Sequence, residues 1–286
     1  MDNFKQTFKR LNTAVIGLLI IFFGLDFIQN WMLDWPRVFV VLGVYGFYFC
    51  GVIGLIKIYS RHKEFEDKEV ATPSLLAKTF LLLLGCNFLG SLFALVIESI
   101  LNQFEIELLT LNVQFVPGDL TYNLLIMLEA CLLAPIIEEL FFRGFLLKEA
   151  RVHGDALAII FSSLCFALIH GNVAQAIPAF LSGSVLAYID VKTNRLWPSI
   201  ILHMSNNLLA MIVTNTNNLY AMVAMFILEI SAAGYTVYLL NTQRNTVKGI
   251  IGQTKIKTVL SCFKNLPGVL AILMLLGQFA YTIVIK

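Results

Sequence analysis

Apolar stretches of about 20 residues recur along the whole chain and are separated by short polar segments. A helix needs ~20 mostly apolar residues to cross the hydrocarbon core of a bilayer. Candidate spans lie at 12–33, 37–58, 75–101, 121–147, 155–171, 174–191, 196–214, 218–241 and 266–285. Backbone polar groups cannot be left open to lipid, so these stretches are predicted to be helices. The pattern predicts an all-α, polytopic helical membrane protein with about eight to nine transmembrane helices.

The charges are few, and they lie mainly between the spans. The chain is 58% hydrophobic and 13% charged, whereas soluble domains carry about 25% charged residues. Cytoplasmic segments of membrane proteins hold an excess of Lys and Arg. With the N-terminus inside, inner segments hold 17 of the 20 Lys and Arg residues; Arg37 and Lys286 lie outside, and Arg143 lies in a span. We therefore predict a cytoplasmic N-terminus and a multi-pass location in the cell membrane.

Two adjacent carboxylates and an arginine lie inside the apolar stretch 121–147. Charges at membrane depth are costly and mark a functional site by default. On a helix, Glu139 and Arg143 are four residues apart and share a face, so they can pair. Glu138 is rotated about 100° away and has no local cation. The spacing predicts a supporting role for Glu139 with Arg143, and it leaves Glu138 free to do chemistry.

Two histidines fall in predicted spans. His170 lies four residues after Phe166, and His203 lies one helical turn before Asn207, on the same face. A single intramembrane histidine is more often an interhelical hydrogen-bonding group than a catalyst. Together with Glu138, however, these residues can act on a peptide bond. Glu138 and His170 can share a water, with the carboxylate as base, and His203 and Asn207 can donate to an oxyanion.

The predicted nucleophile is water, because no serine or cysteine is clearly placed as an activated nucleophile. A glutamate with two histidines can also bind zinc. The His-Glu-x-x-His motif is absent, however, and the ligands would come from three separate helices. The five cysteines are scattered without metal-ligand spacing, which indicates buried thiols. No cofactor is predicted, and zinc stays open as an alternative.

Three short boxes follow one another in the same order as in a known family. They are Glu138-Glu139-x-x-x-Arg143, Phe166-x-x-x-His170 and His203-x-x-x-Asn207. The set resembles the CPBP family of intramembrane proteases (the Abi domain), which includes CAAX-processing endopeptidases and bacteriocin-processing or self-immunity proteins. The resemblance covers about 120–215. It implies that Glu138 is the catalytic carboxylate and His170 its water-binding partner, and that His203 and Asn207 lie on the oxyanion side.

The boxes divide the chain into three regions. Residues 1–120 are predicted to form an N-terminal transmembrane region with three spans. Residues 121–215 correspond to the CPBP/CAAX protease-like catalytic core. Residues 216–286 are predicted to contain C-terminal spans and a basic cytoplasmic linker at 242–257.

The predicted function is an intramembrane endopeptidase that hydrolyses a membrane-associated peptide or protein with water activated by glutamate and histidine, as in CAAX proteases. The alternative is a non-proteolytic membrane immunity or regulatory protein of the same family. A complete set of polar residues argues against it, because each is costly in lipid. The sequence shows no inverted repeat, which argues against a transporter with a proton relay. Expected partners are the substrate and the lipid bilayer, and no nucleic acid; the oligomeric state is left open.

Overall fold

Three long helices form the N-terminal region. The computed structural model of the chain describes residues 3–61, 69–108, 114–245 and 254–285. The helices are α1 (Phe4–Trp31), α2 (Arg37–Tyr59) and α3 (Pro73–Asn102). The side chain of Asn3 accepts a hydrogen bond from the Gln6 backbone at the start of α1, and Thr72 caps α3 in the same way. Such caps satisfy backbone N–H groups that have no partner inside the helix.

One continuous helical run carries the paired carboxylates. It comprises α4 (Leu120–Leu128), a π-helical segment (Glu129–Leu133), α5 (Ala134–Phe141), a second π-helical segment (Phe142–Leu147), α6 (Lys148–Ala150) and a 3-10 turn (Arg151–His153). Glu138 and Glu139 lie on α5, between the two π-helical segments. Single π-helical turns are rare and are often found at functional sites. The irregular backbone therefore flanks the residues that the sequence singled out.

Four further helices follow, joined by short turns. They are α7 (Asp155–Leu168), α8 (Val173–Thr193), α9 (Trp197–Asn215) and α10 (Leu219–Thr242). The sequence predicted that a span over 155–171 would include His170. Instead, α7 ends at Leu168, and His170 lies in the turn that follows. Gly171 has φ +71°, a left-handed conformation that glycine adopts without steric cost, so the chain leaves the helix there.

The C-terminal helices fold back against the N-terminal region. These are α11 (Ile256–Cys262) and α12 (Leu266–Tyr281), which meet at an angle of 94°. The Asn12 amide of α1 donates to the Cys262 carbonyl at 2.8 Å. Beyond α12, β2 (Ile283–Ile285) pairs antiparallel with β1 (Ile106–Leu108). The predicted span 266–285 thus ends in a short strand, and within the described residues this ribbon is the one departure from an all-α fold.

The prediction of a polytopic helical membrane protein is confirmed, with fewer clear spans than expected. Within the described residues, five helices are long and apolar enough to cross a membrane, or six if α11 and α12 form one bent span. The predicted spans 121–147, 155–171 and 196–214 are helical but are interrupted, short or rich in polar groups. For example, α7 has 14 residues. The orientation stays a prediction, and residues 246–253 of the basic linker lie outside the described part of the chain.

Large apolar side chains lie both inside and outside the helical bundle. Phe8, Phe141 and Phe161 are fully buried in the main core. On the outer faces, Phe27 is 72% exposed and Phe93 is 59% exposed. Soluble monomers rarely expose extensive contiguous apolar surface. The apolar exterior therefore suits contact with lipid.

Candidate active site

Glu139 and Arg143 form the buried ion pair that their spacing predicted. Arg143 Nη1 donates to Glu139 Oε1 at 2.9 Å, and both side chains are fully buried. Arg143 Nη2 donates to the Gly183 carbonyl of α8 at 3.1 Å. The guanidinium lies over the Phe166 ring, 4.3 Å from its centroid. The pair therefore links α5 to α7 and α8 and holds the carboxylate of Glu139 in place.

His203 of α9 lies against both carboxylates. Its Nδ1 donates to Glu139 Oε1 at 2.9 Å, since an ionised carboxylate only accepts. Its Nε2 is 3.8 Å from Glu138 Oε2. The sequence placed His203 with Asn207 as an oxyanion donor and did not predict this contact with Glu139. With Nδ1 engaged, Nε2 is the ring atom that faces the reacting groups.

Glu138 has the freer of the two carboxylates. Its side chain is 21% exposed, whereas that of Glu139 is fully buried. The 3.8 Å separation from His203 is longer than a hydrogen bond. Glu138 also lies within electrostatic range of His170 and of Tyr48 on α2. Because its side chain is partly exposed and its contact with His203 is long, its oxygens remain accessible to a water molecule.

His170 presents one defined ring nitrogen. Its Nδ1 lies 2.8 Å from the Phe166 carbonyl oxygen. Because a carbonyl accepts and never donates, the hydrogen is on Nδ1, and Nε2 of the neutral ring carries a lone pair. This is the tautomer that can accept a hydrogen bond from a water molecule, as its predicted role requires.

Phe166 is the side chain around which the site is packed, a role that its place in the sequence box did not reveal. Its ring centroid is 5.0 Å from that of His170 and 5.7 Å from that of His203, both edge-on. Arg143 covers its face. One apolar ring of α7 therefore contacts residues from the second π-helical segment, from the turn after α7 and from α9.

Asn207 is partly committed to the protein. Its Nδ2 donates to the Ala130 carbonyl, in the first π-helical segment, at 2.9 Å. An amide NH₂ has two hydrogens, so the second N–H of Asn207 remains for a ligand. The structure thus keeps one donor for the predicted oxyanion role.

A cavity of about 330 Å³ lies beside these residues. His170, His203 and Asn207 line it together with Asn87 of α3, Gln175 of α8 and Asn206 of α9. The three boxes do not specify Asn87, Gln175 or Asn206, and the helices of Asn87 and Gln175 hold no box residue. Glu138 is not part of the lining; the ring of His203 connects the cavity wall to it.

The zinc alternative requires three protein ligands that lie close together. In the part of the chain that the structure describes, no group of three His, Cys, Asp or Glu side chains is arranged to hold a metal ion. Glu139, which contacts His203, is already paired with Arg143.

Gly183 allows Arg143 and Phe166 to approach α8. A Cβ at this position would lie 2.9 Å from the Phe166 ring and 3.1 Å from Arg143 Nη2. We expect Gly183→Ala to cost about 1–3 kcal/mol of unfolding free energy through overpacking. Gly234→Ala in α10 is the matched control, because a Cβ there meets nothing within 4 Å. Thermal unfolding in detergent measures both; equal unfolding temperatures would contradict this role of Gly183.

Comparison with known proteins finds a family match for one segment of the chain. Residues 120–209 match the model of a family described as type II CAAX prenyl endopeptidase Rce1-like. No curated protein and no solved structure matches the chain. The matched segment contains all three boxes, from Glu138 to Asn207.

Proposed function

We propose that the chain is an intramembrane endopeptidase of the CAAX-protease (CPBP) kind, because residues 120–209 match the type II CAAX prenyl endopeptidase Rce1-like family model. It hydrolyses a peptide or protein that lies in or near the cell membrane. The observation that carries the proposal is the position of His203, which contacts Glu139 at 2.9 Å and Glu138 at 3.8 Å. This contact couples the buried ion pair to the freer carboxylate, and the His203 ring itself lines the cavity.

Water is the nucleophile in the proposed reaction. Glu138 takes one proton from the water while the water oxygen attacks the peptide carbonyl carbon, and His170 Nε2 accepts a hydrogen bond that orients the water. The electrons of the carbonyl π bond move to its oxygen, which gives a tetrahedral oxyanion. Glu138 then passes the proton to the amide nitrogen as the C–N bond breaks. The products are a carboxylic acid and an amine.

Two donors support the oxyanion. Asn207 offers its second Nδ2–H, and His203 donates from Nε2 when its ring carries a second proton. Arg143 balances the negative charge of Glu139, with which it pairs at 2.9 Å. Buried charges are found where they are paired in this way. Donors held in place before reaction contribute strongly to the stabilisation of developing charge.

A cleavage assay in liposomes tests the proposal. The probe is a quenched fluorescent peptide that ends in a farnesylated cysteine motif, the class of substrate named for the matched family. A matched peptide without the farnesyl group tests whether the lipid is required. Mass spectrometry of the products identifies the bond that is cut. Absence of cleavage of both peptides by folded protein would favour the non-proteolytic immunity or regulatory alternative.

We expect cleavage to be insensitive to metal removal. The proposed steps use water and side chains, with no metal to polarise the carbonyl. The measurement is the initial rate before and after EDTA treatment, with buffer-treated protein as the control. A rate that falls with EDTA and returns when zinc is added would contradict the metal-free mechanism.

A further inference from the structure

The cavity beside His170 and His203 has a polar wall without charge. Three amide side chains line it, those of Asn87, Gln175 and Asn206, in addition to Asn207. Among the described residues, its lining includes no Asp, Glu, Lys or Arg. Its volume of about 330 Å³ lies in the range of ligand pockets, roughly 300–1,000 Å³. A charged ligand group would find no counter-charge there, whereas an amide would find both donors and acceptors.

Three asparagines form a row along this wall. Asn87 Nδ2 donates to Asn206 Oδ1 at 3.5 Å, and Asn206 Nδ2 donates to Asn207 Oδ1 at 3.5 Å. Both distances exceed the usual hydrogen-bond range. Asn207, in contrast, donates to Ala130 at 2.9 Å. Asn207 is therefore anchored, while the amides of Asn87 and Asn206 make only weak contacts that a ligand can replace.

An extended peptide is the ligand that such a row suits. A peptide strand in a membrane has backbone N–H and C=O groups without partners, and each unpaired group is costly there. Asparagine carries the same donor and acceptor groups as the peptide bond. A pair of amides from α3 and α9 can therefore take up one peptide unit of the chain beside the scissile bond.

We propose that Asn87 and Asn206 form a clamp for the backbone of an extended, uncharged segment of the substrate. The inference rests on the proposed function and adds the substrate class that its cavity accepts. Asn87 lies on α3, outside the matched segment 120–209. The N-terminal region therefore contributes to substrate binding as well as to the membrane anchor.

Binding is measured on the Glu138→Gln protein, so that the readout does not depend on turnover. The probe is a pool of short, fluorescent peptides with uncharged side chains that end in the same farnesylated cysteine motif, with the C-terminus amidated, added to protein in liposomes. Adding Asn87→Leu, which keeps the size and removes the amide, is expected to weaken binding about tenfold, the loss of one well-made hydrogen bond. Asn87→Gln restores the amide and is expected to recover part of the affinity.

Two controls separate the clamp from a structural effect. Ser99→Ala lies on an exposed part of the same helix, where Ser99 donates to the Leu95 carbonyl, and it is expected to leave binding unchanged. A peptide pool with a central lysine is expected to bind at least about tenfold more weakly, because the cavity offers that charge no partner. In proteins with Glu138 intact, Asn87→Leu is expected to raise KM and leave kcat nearly unchanged.

Three results would overturn the clamp. The first is equal binding by the Glu138→Gln protein with and without Asn87→Leu. The second is equally weak binding with Asn87→Leu and with Asn87→Gln. The third is no binding of the uncharged pool by the Glu138→Gln protein. The proposed function fails separately, if folded protein with Glu138 intact cleaves neither the farnesylated peptide nor its matched peptide without the farnesyl group. The binding arm then still reports on the clamp.

Discussion

Glu138→Gln is expected to lower the rate of peptide cleavage by about 10³-fold, within the range attributed to general acid–base catalysis. Glutamine has the same shape as glutamate but cannot take a proton from water. The side chain is 21% exposed, and its nearest ionic contact is 3.8 Å long. The substitution should therefore leave folding intact. The measurements are the initial rate of cleavage and the unfolding temperature of the purified variant.

Glu139→Gln is the matched comparison at the neighbouring carboxylate. Glu139 is fully buried and contacts both Arg143 and His203. Its replacement leaves a buried guanidinium without its counter-charge, so we expect reduced protein abundance and a lower unfolding temperature. Loss of cleavage at normal abundance is expected only for Glu138→Gln. Cleavage that survives Glu138→Gln would show that another group activates the water.

Arg143→Met is expected to lower the free energy of unfolding by about 3–5 kcal/mol, because removal of one partner leaves a buried charge uncompensated. Arg143 and Glu139 are both fully buried and 2.9 Å apart. The Gly183 carbonyl also loses its donor. Chemical or thermal unfolding in detergent measures the loss, with activity recorded in parallel.

Arg37→Met is the control for removal of an arginine from an ion pair. Arg37 contacts Glu129 at 3.0 Å, but its side chain is 36% exposed. Ion pairs that are open to solvent contribute up to about 1 kcal/mol, so a small effect is expected.

Glu139→Gln combined with Arg143→Met removes both charges and should recover part of the stability lost in Arg143→Met. A double variant as unstable as the sum of the two single variants would contradict direct pairing.

The pattern of the chain was sufficient to predict the residues that pair within one helix. The spacing of Glu139 and Arg143 places them on the same face whatever surrounds the helix, and the contact is present at 2.9 Å. The same geometry separates Glu138 from that pair. The helical class of the protein could also be predicted from the sequence, because an apolar segment that crosses lipid must pair its backbone polar groups within a helix. These properties depend on local backbone geometry and on solvent, which act on each segment separately.

Contacts between helices could not be predicted from the hydrophobic and polar pattern. Nothing in α5 or α9 alone indicates that His203 reaches both carboxylates, because the rotation and depth of one helix against another depend on side chains from distant segments. Gly183 lets Arg143 and Phe166 lie close to α8. Similarly, Gly90 of α3 leaves room for Pro178 of α8, where a Cβ would lie 2.6 Å from the proline Cα.

The cavity shows the same division between local and distant information. The family boxes end at Asn207, yet Asn87 in α3 completes the polar wall. The two π-helical segments and the ribbon of β1 with β2 were not predicted either, since both depend on how the chain is packed. Residue types and spacing along the chain therefore singled out Glu138, His170 and His203 as candidates for chemistry. The packing of separate helices determined which atoms meet and what surrounds them, because helical periodicity relates residues within a helix but not between helices.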